Sequence, residues 1–391
     1  MKILHIIPNY LPANFAIGIF DLIHTLNKAF VKDGIEVVVY TTNLDGKKTL
    51  NVPLNQEVVL DGVKVYYFPT TYKPWQYSFL LHMALLRNIK KFDLVHISSV
   101  FLSVSSLGSY YAKKNGKPYV IAPYGALMEE PLQYHSFKKK LYISLIEKKN
   151  LSGAAALHFT TEKEKEEYLS AGLFSAKSLV IPCCVDVNSV LASKRVDFRG
   201  KLGISDDKKL ITILGRISWK KGFDTLIPAF AEVVKKEPEA LLIIAGSDNE
   251  GYKKDVEYLI SSSALSKDKI LFMGVTLGEQ KAALFRESSV FVLPSYSESF
   301  GIVVADAMAE KLPVVITRGV GIADDVERAG AGLVVEKEVG SIAEAILKIM
   351  HDPDLSKKMG EQGREFVERE YSCDKIAGRF IQEYQNILRL N

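Results

Sequence analysis

Short apolar runs of strand length recur along this chain with helix-patterned segments between them, and that alternation constrains the fold more than any other feature. It is the signature of βαβ units assembled into a parallel sheet. The first half carries Ile3–Ile7, Val37–Tyr40, Val63–Phe68, Leu94–Ile97, Tyr119–Ala122, Leu157–Phe159 and Leu179–Ile181. The second half repeats the rhythm with Leu210–Leu214, Leu241–Ala245, Ile270–Met273, Val290–Leu293, Val314–Ile316 and Leu333–Val335. Between the two series, from Asp186 to Lys209, lies a polar segment rich in Lys, Arg, Asp and Ser, without strong periodicity. A domain boundary after Val185 follows. The expected class is α/β, with two doubly wound, Rossmann-like sheets facing each other across a cleft. No short-period repeat is present, which sets solenoids and propellers aside.

Composition agrees. A hydrophobic content of 48% in 391 residues supplies enough apolar material for two cores and excludes a disordered chain. The three cysteines, Cys183, Cys184 and Cys373, form neither a disulfide framework nor paired zinc-ligand spacing, so a reducing cytoplasm is expected. The opening MKILHIIPNY is too short an apolar stretch for a signal peptide, and no run reaches the ~20 apolar residues of a membrane span. Net charge divides unevenly, +7 up to Val185 and −3 beyond it. Much of the surplus sits in Lys138, Lys139, Lys140, Lys148 and Lys149, interleaved with Phe137, Leu141, Tyr142, Leu145 and Ile146 at helical spacing. Such a stretch either rests on an anionic membrane surface or is an ordinary domain helix with a solvated lysine face and a buried apolar one. The modest charge and the lack of a recognised module give no support to nucleic-acid binding.

Doubly wound sheets bind ligands outside the carboxyl ends of their strands. The loop after Ile3–Ile7 offers only Gly18 before a helix, with no G-x-G-x-x-G, and no G-x-x-x-x-G-K-[ST] occurs anywhere, so dinucleotide and phosphate-loop folds are disfavoured. Leu210–Leu214 is followed by GRISWKKG, which places Arg216 and Lys221 at a strand's carboxyl end, poised for a diphosphate. After Val290–Leu293 comes PSYSESFGIVVADAMA, where Glu298 precedes Ser299, Phe300 and Gly301. A helix expected to begin near Phe300 would turn free backbone N–H groups toward an anion, and Gly301 would let that anion come close. Asp306 would then lie about 9 Å along that helix, a suitable offset between the diphosphate and the ribose of one nucleotide. Asp352-Pro-Asp354, the one D-x-D string, reads as a turn and helix cap, and no metal is expected in the site.

Taken in order, GRISWKKG, the AGSD of Ala245–Asp248, the FMG of Phe272–Gly274 and PSYSESFGIVVADAMA resemble the donor half of glycosyltransferase family 4. Looser matches in the first half are Gly18, FDLVHISS at Phe92–Ser99 and PYVIAPYGAL at Pro118–Leu127. The resemblance implies a retaining, nucleotide-sugar-dependent enzyme of the GT-B fold, in which residues 1–185 bind the acceptor, residues 186–370 bind the donor, and a last helix, 371–391, crosses back to the first domain. It assigns Arg216 and Lys221, beside Gly215, to the departing nucleoside diphosphate. Glu298 matches the first acid of the family's E-x7-E motif, touching the transferred sugar, with Ser299, Phe300, Gly301 and Ile302 offering backbone donors. Asp306 matches the second acid, which holds the ribose. Backbone around Met273 and Gly274 is expected at the base. No cofactor beyond the donor is implied. The expected partners are the nucleotide sugar and a saccharide or lipid-linked acceptor of cell-surface polysaccharide assembly.

Four positions depart from the family pattern. Asp306 replaces a glutamate, Ile17 stands where a second glycine is common before Gly18, and Cys183–Cys184 replaces Asn-Gly before the hinge. Tyr124 occupies the place of a histidine that touches the sugar. A phenol donates a hydrogen bond but is no readily protonated acid, so either that role is positional or another residue fills it, with His96 and His135 as candidates near the acceptor. Front-face displacement, with the leaving phosphate helping to deprotonate the acceptor hydroxyl, is the favoured route to retention. Two other readings compete: a catalytically silent sugar-nucleotide-binding subunit, and a sugar-nucleotide epimerase on the same architecture.

Overall fold

The computed structural model describes residues 1–13, 17–133, 141–173, 177–187, 190, 196–263 and 265–390. They divide into two compact units, Met1–Cys184 with Cys373–Asn391, and Val185–Ser372. Each is a Rossmann-like α/β unit built on a parallel sheet.

The strands of the first unit are β1 (Lys2–Ile6), β2 (Glu36–Thr42), β3 (Leu44–Asp45), β4 (Lys48–Thr49), β5 (Glu57–Leu60), β6 (Val63–Phe68), β7 (Leu94–Ser98), β8 (Tyr119–Ala122), β9 (Ala156–Phe159) and β10 (Ser178–Val180). They form a sheet ordered β10-β9-β8-β7-β1-β2-β6-β5, beside a small β3–β4 ribbon. Every pairing in the large sheet is parallel except β5 with β6. β7 is buried along its whole length, as a parallel strand covered on both faces must be, and this is why it reads as a continuous run rather than an alternation. The pairing of β5 with β6 turns on Asp61 and Gly62, both left-handed at φ 48° and 84°. This Asp-Gly hairpin signal accounts for a strand that the apolar runs do not reveal.

The helix Cys373–Leu390 completes this unit. Its buried residues Ile376, Ala377, Phe380, Tyr384 and Ile387 form one stripe. Phe380 and Tyr384 each lie 5.9 Å from the ring of Phe30, on the helix Ile17–Lys32.

The second unit holds β11 (Lys209–Leu214), β12 (Ala240–Ala245), β13 (Ile270–Gly274), β14 (Ser288–Leu293), β15 (Val314–Thr317) and β16 (Gly332–Val335). Their order is β13-β12-β11-β14-β15-β16, parallel throughout. Each apolar run read from the sequence coincides with a strand to within two residues at either end. No helix among the described residues is long and apolar enough to cross a membrane.

Strand order reverses at one place in each sheet, between β7 and β1 and between β11 and β14. The loops leaving neighbouring strands at such a point diverge to opposite faces and open a crevice beyond the carboxyl ends. GRISWKKG leaves β11 and PSYSESFG leaves β14, so the topology alone sets the two motifs side by side.

Candidate functional site

In the second unit the two loops are tied together by their backbones. Tyr296 N–H donates to the carbonyl of Lys220 (2.8 Å), and the rings of Trp219 and Tyr296 stand 5.5 Å apart. Gly222, left-handed at φ 71°, lies so close to β14's end that a Cβ there would sit 2.1 Å from the carbonyl oxygen of Pro294. Only glycine meets both conditions.

This closeness brings Lys221 to Glu298. The ammonium donates to Glu298 Oε1 at 2.5 Å, and Ser295 Oγ donates to the same oxygen at 3.1 Å. Both charged side chains are largely buried, Lys221 12% and Glu298 21% exposed. Arg216 is different: it is half-exposed and stands 3.7 Å from Glu250, a loose solvent-facing pair. The carboxylate of Glu298 is therefore already neutralised, while Arg216 remains the cation most open to an incoming anion.

The helix after Glu298 is Ile302–Ala309, capped by Gly301 at φ 96°, where a Cβ would press within 2.7 Å of Val320 Cγ1. The expected start near Phe300 is thus two residues early. Phe300 is a core residue, 3% exposed with its ring 5.2 Å from Tyr371, and its carbonyl is taken by Ile322 N–H. Within the helix, the first-turn N–H groups that lack an intrahelical acceptor are those of Ile302 and Val303. Asp306 consequently lies about 6 Å from the helix start. Its Oδ2 accepts from Lys281 Nζ (2.9 Å), on the neighbouring helix Gly278–Glu287. Met273 and Gly274 end β13, and the Gly274 carbonyl accepts from Gly246 N–H (2.6 Å), tying the β12 and β13 ends together. Gly215 follows β11 directly, its N–H donating to Ala245.

In the first unit, Gly18 is exposed in the first turn of the helix after β1, with open space where a Cβ would stand. Tyr124 follows β8 in a left-handed conformation, φ 47°, half-buried. Its ring rests 6.0 Å from His158, edge to face. Burial pushes that phenol well up, with Cys183 adding to the effect, so the hydroxyl stays protonated.

The structure corrects the reading of His96 as a candidate near the acceptor. It is the third residue of a strand flanked by β1 and β8, paired with His5 and Val120, and is fully buried. Its Nδ1 bonds the Tyr384 hydroxyl (2.5 Å), its ring stacks on His5 at 4.7 Å, and His158 and Phe380 each stand 5.9 Å away. Burial holds the three imidazoles neutral, His5 and His158 lowered to about 4 and His96 well below its usual value. His135 lies outside the described residues.

Reading the sequence missed three groups. Lys281 carries no motif, and its partnership with Asp306 spans two helices. Ser295 sits inside the quoted motif but bears on Glu298 only through the fold. Glu164 is fully buried and binds the Tyr124 loop: Gly125 N–H donates to its Oε1 (2.5 Å), while Thr160 gives N–H and hydroxyl to its Oε2 (both 2.7 Å). Burial pushes the Glu164 carboxyl up, partly countered by those bonds. The T-x-x-E spacing of Thr161 and Glu164, a helix-capping signature, was the available signal.

Comparison with known proteins bears on the family and the fold. Residues 18–189 match the family model described as Glycosyltransferase Family 4, and residues 194–366 match that described as Glycosyl transferases group 1, which together take in most of the chain. The chain is 24% identical over 381 residues to an uncharacterized glycosyltransferase, MJ1607, of Methanocaldococcus jannaschii, spanning 92% of each. It is 30% identical over 186 residues to the capsular polysaccharide biosynthesis glycosyltransferase CapM of Staphylococcus aureus, a match spanning 47% of this chain and 48% of that one. Among solved structures, Anabaena HepE in complex with UDP and glucose shares the fold with a TM-score of 0.77, at 17% identity over 99% of this chain and 100% of the other.

Proposed function

Since the chain belongs to the family 4 glycosyltransferases, with Rossmann-like domains of the GT-B type, we propose that it moves a sugar from a nucleoside-diphosphate sugar to a saccharide or lipid-linked saccharide with retention of configuration. The observation that carries this reading is the Lys221–Glu298 pair beside Arg216 at the β11/β14 reversal, next to the open N-terminus of helix Ile302–Ala309. A diphosphate arriving there meets Arg216 and the N–H groups of Ile302 and Val303, then competes for the ammonium of Lys221. Glu298 released from Lys221 becomes an acceptor for hydroxyls of the transferred sugar.

As the glycosidic bond breaks, negative charge grows on the leaving phosphate oxygen. Two cations and a helix N-terminus fixed in place beforehand stabilise it, an effect often worth ~10²–10³ in rate per group. That set needs no divalent ion. The acceptor hydroxyl attacks from the face the diphosphate leaves, and its proton passes to the leaving phosphate, which retains the anomeric configuration. Tyr124 serves as a hydrogen-bond donor to substrate, since its buried phenol does not release its proton near neutrality.

The match to CapM supports a role in polysaccharide assembly. Peripheral contact with a membrane is supported by the segment before β9. Leu141 and Leu145, 52% and 60% exposed, share a solvent face with Lys148 and Lys149, where a domain helix would turn its leucines inward.

The test is thermal stability of the purified protein with UDP, GDP, ADP or CMP at ~1 mM without added metal. UDP leads the panel because HepE carries it. A selective rise with one diphosphate, lost in Glu298→Ala and in Arg216→Ala, is expected. No rise with any of them would defeat the transferase reading in favour of a catalytically silent subunit.

A further inference from the structure

Asp306 and Lys281 form a largely buried charge pair in the donor unit, and the assignment of Asp306 to the ribose leaves its partner without a role. We infer that Lys281 is a positioning residue that fixes the Asp306 carboxylate for the ribose hydroxyls of the nucleotide. The inference rests on the reading of Asp306 as the ribose acid and goes beyond it by adding a residue from another helix.

Aspartate has one methylene fewer than glutamate, so its carboxylate stands closer to the helix that carries it and reaches less far. A short acid facing a ligand gains most from being held in one rotamer, because each hydroxyl bond it forms then loses less conformational freedom. Lys281 supplies that restraint. Its Nζ lies 2.9 Å from Oδ2, leaving Oδ1 to accept, and a carboxylate has lone pairs enough for the lysine and two hydroxyls together. Asp306 is 17% and Lys281 26% exposed, so the pair is neither sealed in the core nor loose in solvent. A pair this accessible adds little to stability, and its leverage falls on what binds beside it. The pair also cancels the charge of Asp306 about 6 Å from the helix N-terminus where the diphosphate is expected, so the acid can read ribose without repelling phosphate.

The experiment is isothermal titration of the full chain with UDP, GDP and ADP. The tightest binder is then compared with its 2′,3′-dideoxy form in wild type, Lys281→Met and Lys281→Arg. Lys281→Met is expected to weaken the ribonucleotide about tenfold and the dideoxynucleotide less than about threefold, the loss of one charge-assisted bond acting through the hydroxyls. Lys281→Arg is expected to keep affinity within about threefold, and the ligand-free unfolding midpoint of both variants to stay within ~2 °C of wild type. If the wild type binds none of the three diphosphates, the reading of the whole site falls and this inference with it. If the wild type binds but Lys281→Met binds the ribonucleotide equally well, or loses both nucleotides to the same extent, the inference alone is overturned.

Discussion

Acid should destabilise the first unit as pH falls below about 6.5, because its core holds imidazoles in the neutral form. His5, His96 and His158 are fully buried, and desolvation lowers His5 and His158 to about 4 and His96 further. In the unfolded chain each titrates near 6.5. Above that value the imidazoles are neutral in both states and their contribution to stability is complete. As pH falls from ~6.5 toward ~4 the unfolded chain binds protons that the folded unit refuses, and stability is lost. At pH 5 this amounts to about 2 kcal/mol per histidine, or about 4 kcal/mol from His5 and His158 alone. That is a large share of the 5–15 kcal/mol typical of a domain. Glu147 and Glu164 act in the opposite direction, since burial raises both carboxyls so that the folded unit takes their protons first, and they offset part of that loss. The chain has two tryptophans, Trp75 and Trp219, one in each unit. In Trp219→Phe, the emission of Trp75 therefore reports the first unit alone. Its thermal midpoint should hold steady from pH 8 to 7 and fall by roughly 8–16 °C by pH 5. His158→Phe should make that fall shallower whatever it does to the midpoint at neutral pH. A midpoint that moves less than about 3 °C between pH 7.5 and 5 would refute the reasoning.

Glu164→Ala should destabilise the first unit by about 3 kcal/mol or more, since Gly125 N–H and both donors of Thr160 lose a buried acceptor; urea unfolding followed by Trp75 emission measures it, and Glu164→Gln should recover part of the loss. Sedimentation with vesicles should show the chain binding anionic bilayers, releasing in ~0.5 M salt and weakening in Leu145→Glu, whereas equal binding to zwitterionic vesicles would remove the membrane reading.

The strands were legible because a parallel sheet buried on both faces demands unbroken apolar runs. β5 escaped because it is an edge strand paired on one side only, with Glu57 and Val59 exposed, so it presents alternation over a length too short to count. His96 was misread because it stands near the carboxyl end of its apolar run, where such sheets bind ligands; in the folded unit His5 stacks on its ring, His158 stands edge-on to it, and its Nδ1 bonds the hydroxyl of Tyr384, 288 residues away along the chain.

The same limit applies at the donor site, where motif spacing gave the residues but not their partners. Arg216, Lys221, Glu298 and Asp306 read as two cations and two acids awaiting a ligand. In the folded unit the acids are already taken, Glu298 by Lys221 and Asp306 by Lys281, and only Arg216 faces solvent with a loose partner. A ligand must therefore exchange bonds rather than simply add them. For Lys221 the exchange favours a diphosphate, which offers more negative charge than the carboxylate it displaces, and the displaced carboxylate is then free where sugar hydroxyls can reach it. On the proposed function, binding of the phosphate and readiness to bind the sugar are thus one event, which follows from a pairing only the fold creates. A nucleoside monophosphate, with less charge to compete for Lys221, should leave Glu298 occupied and draw little benefit from the site.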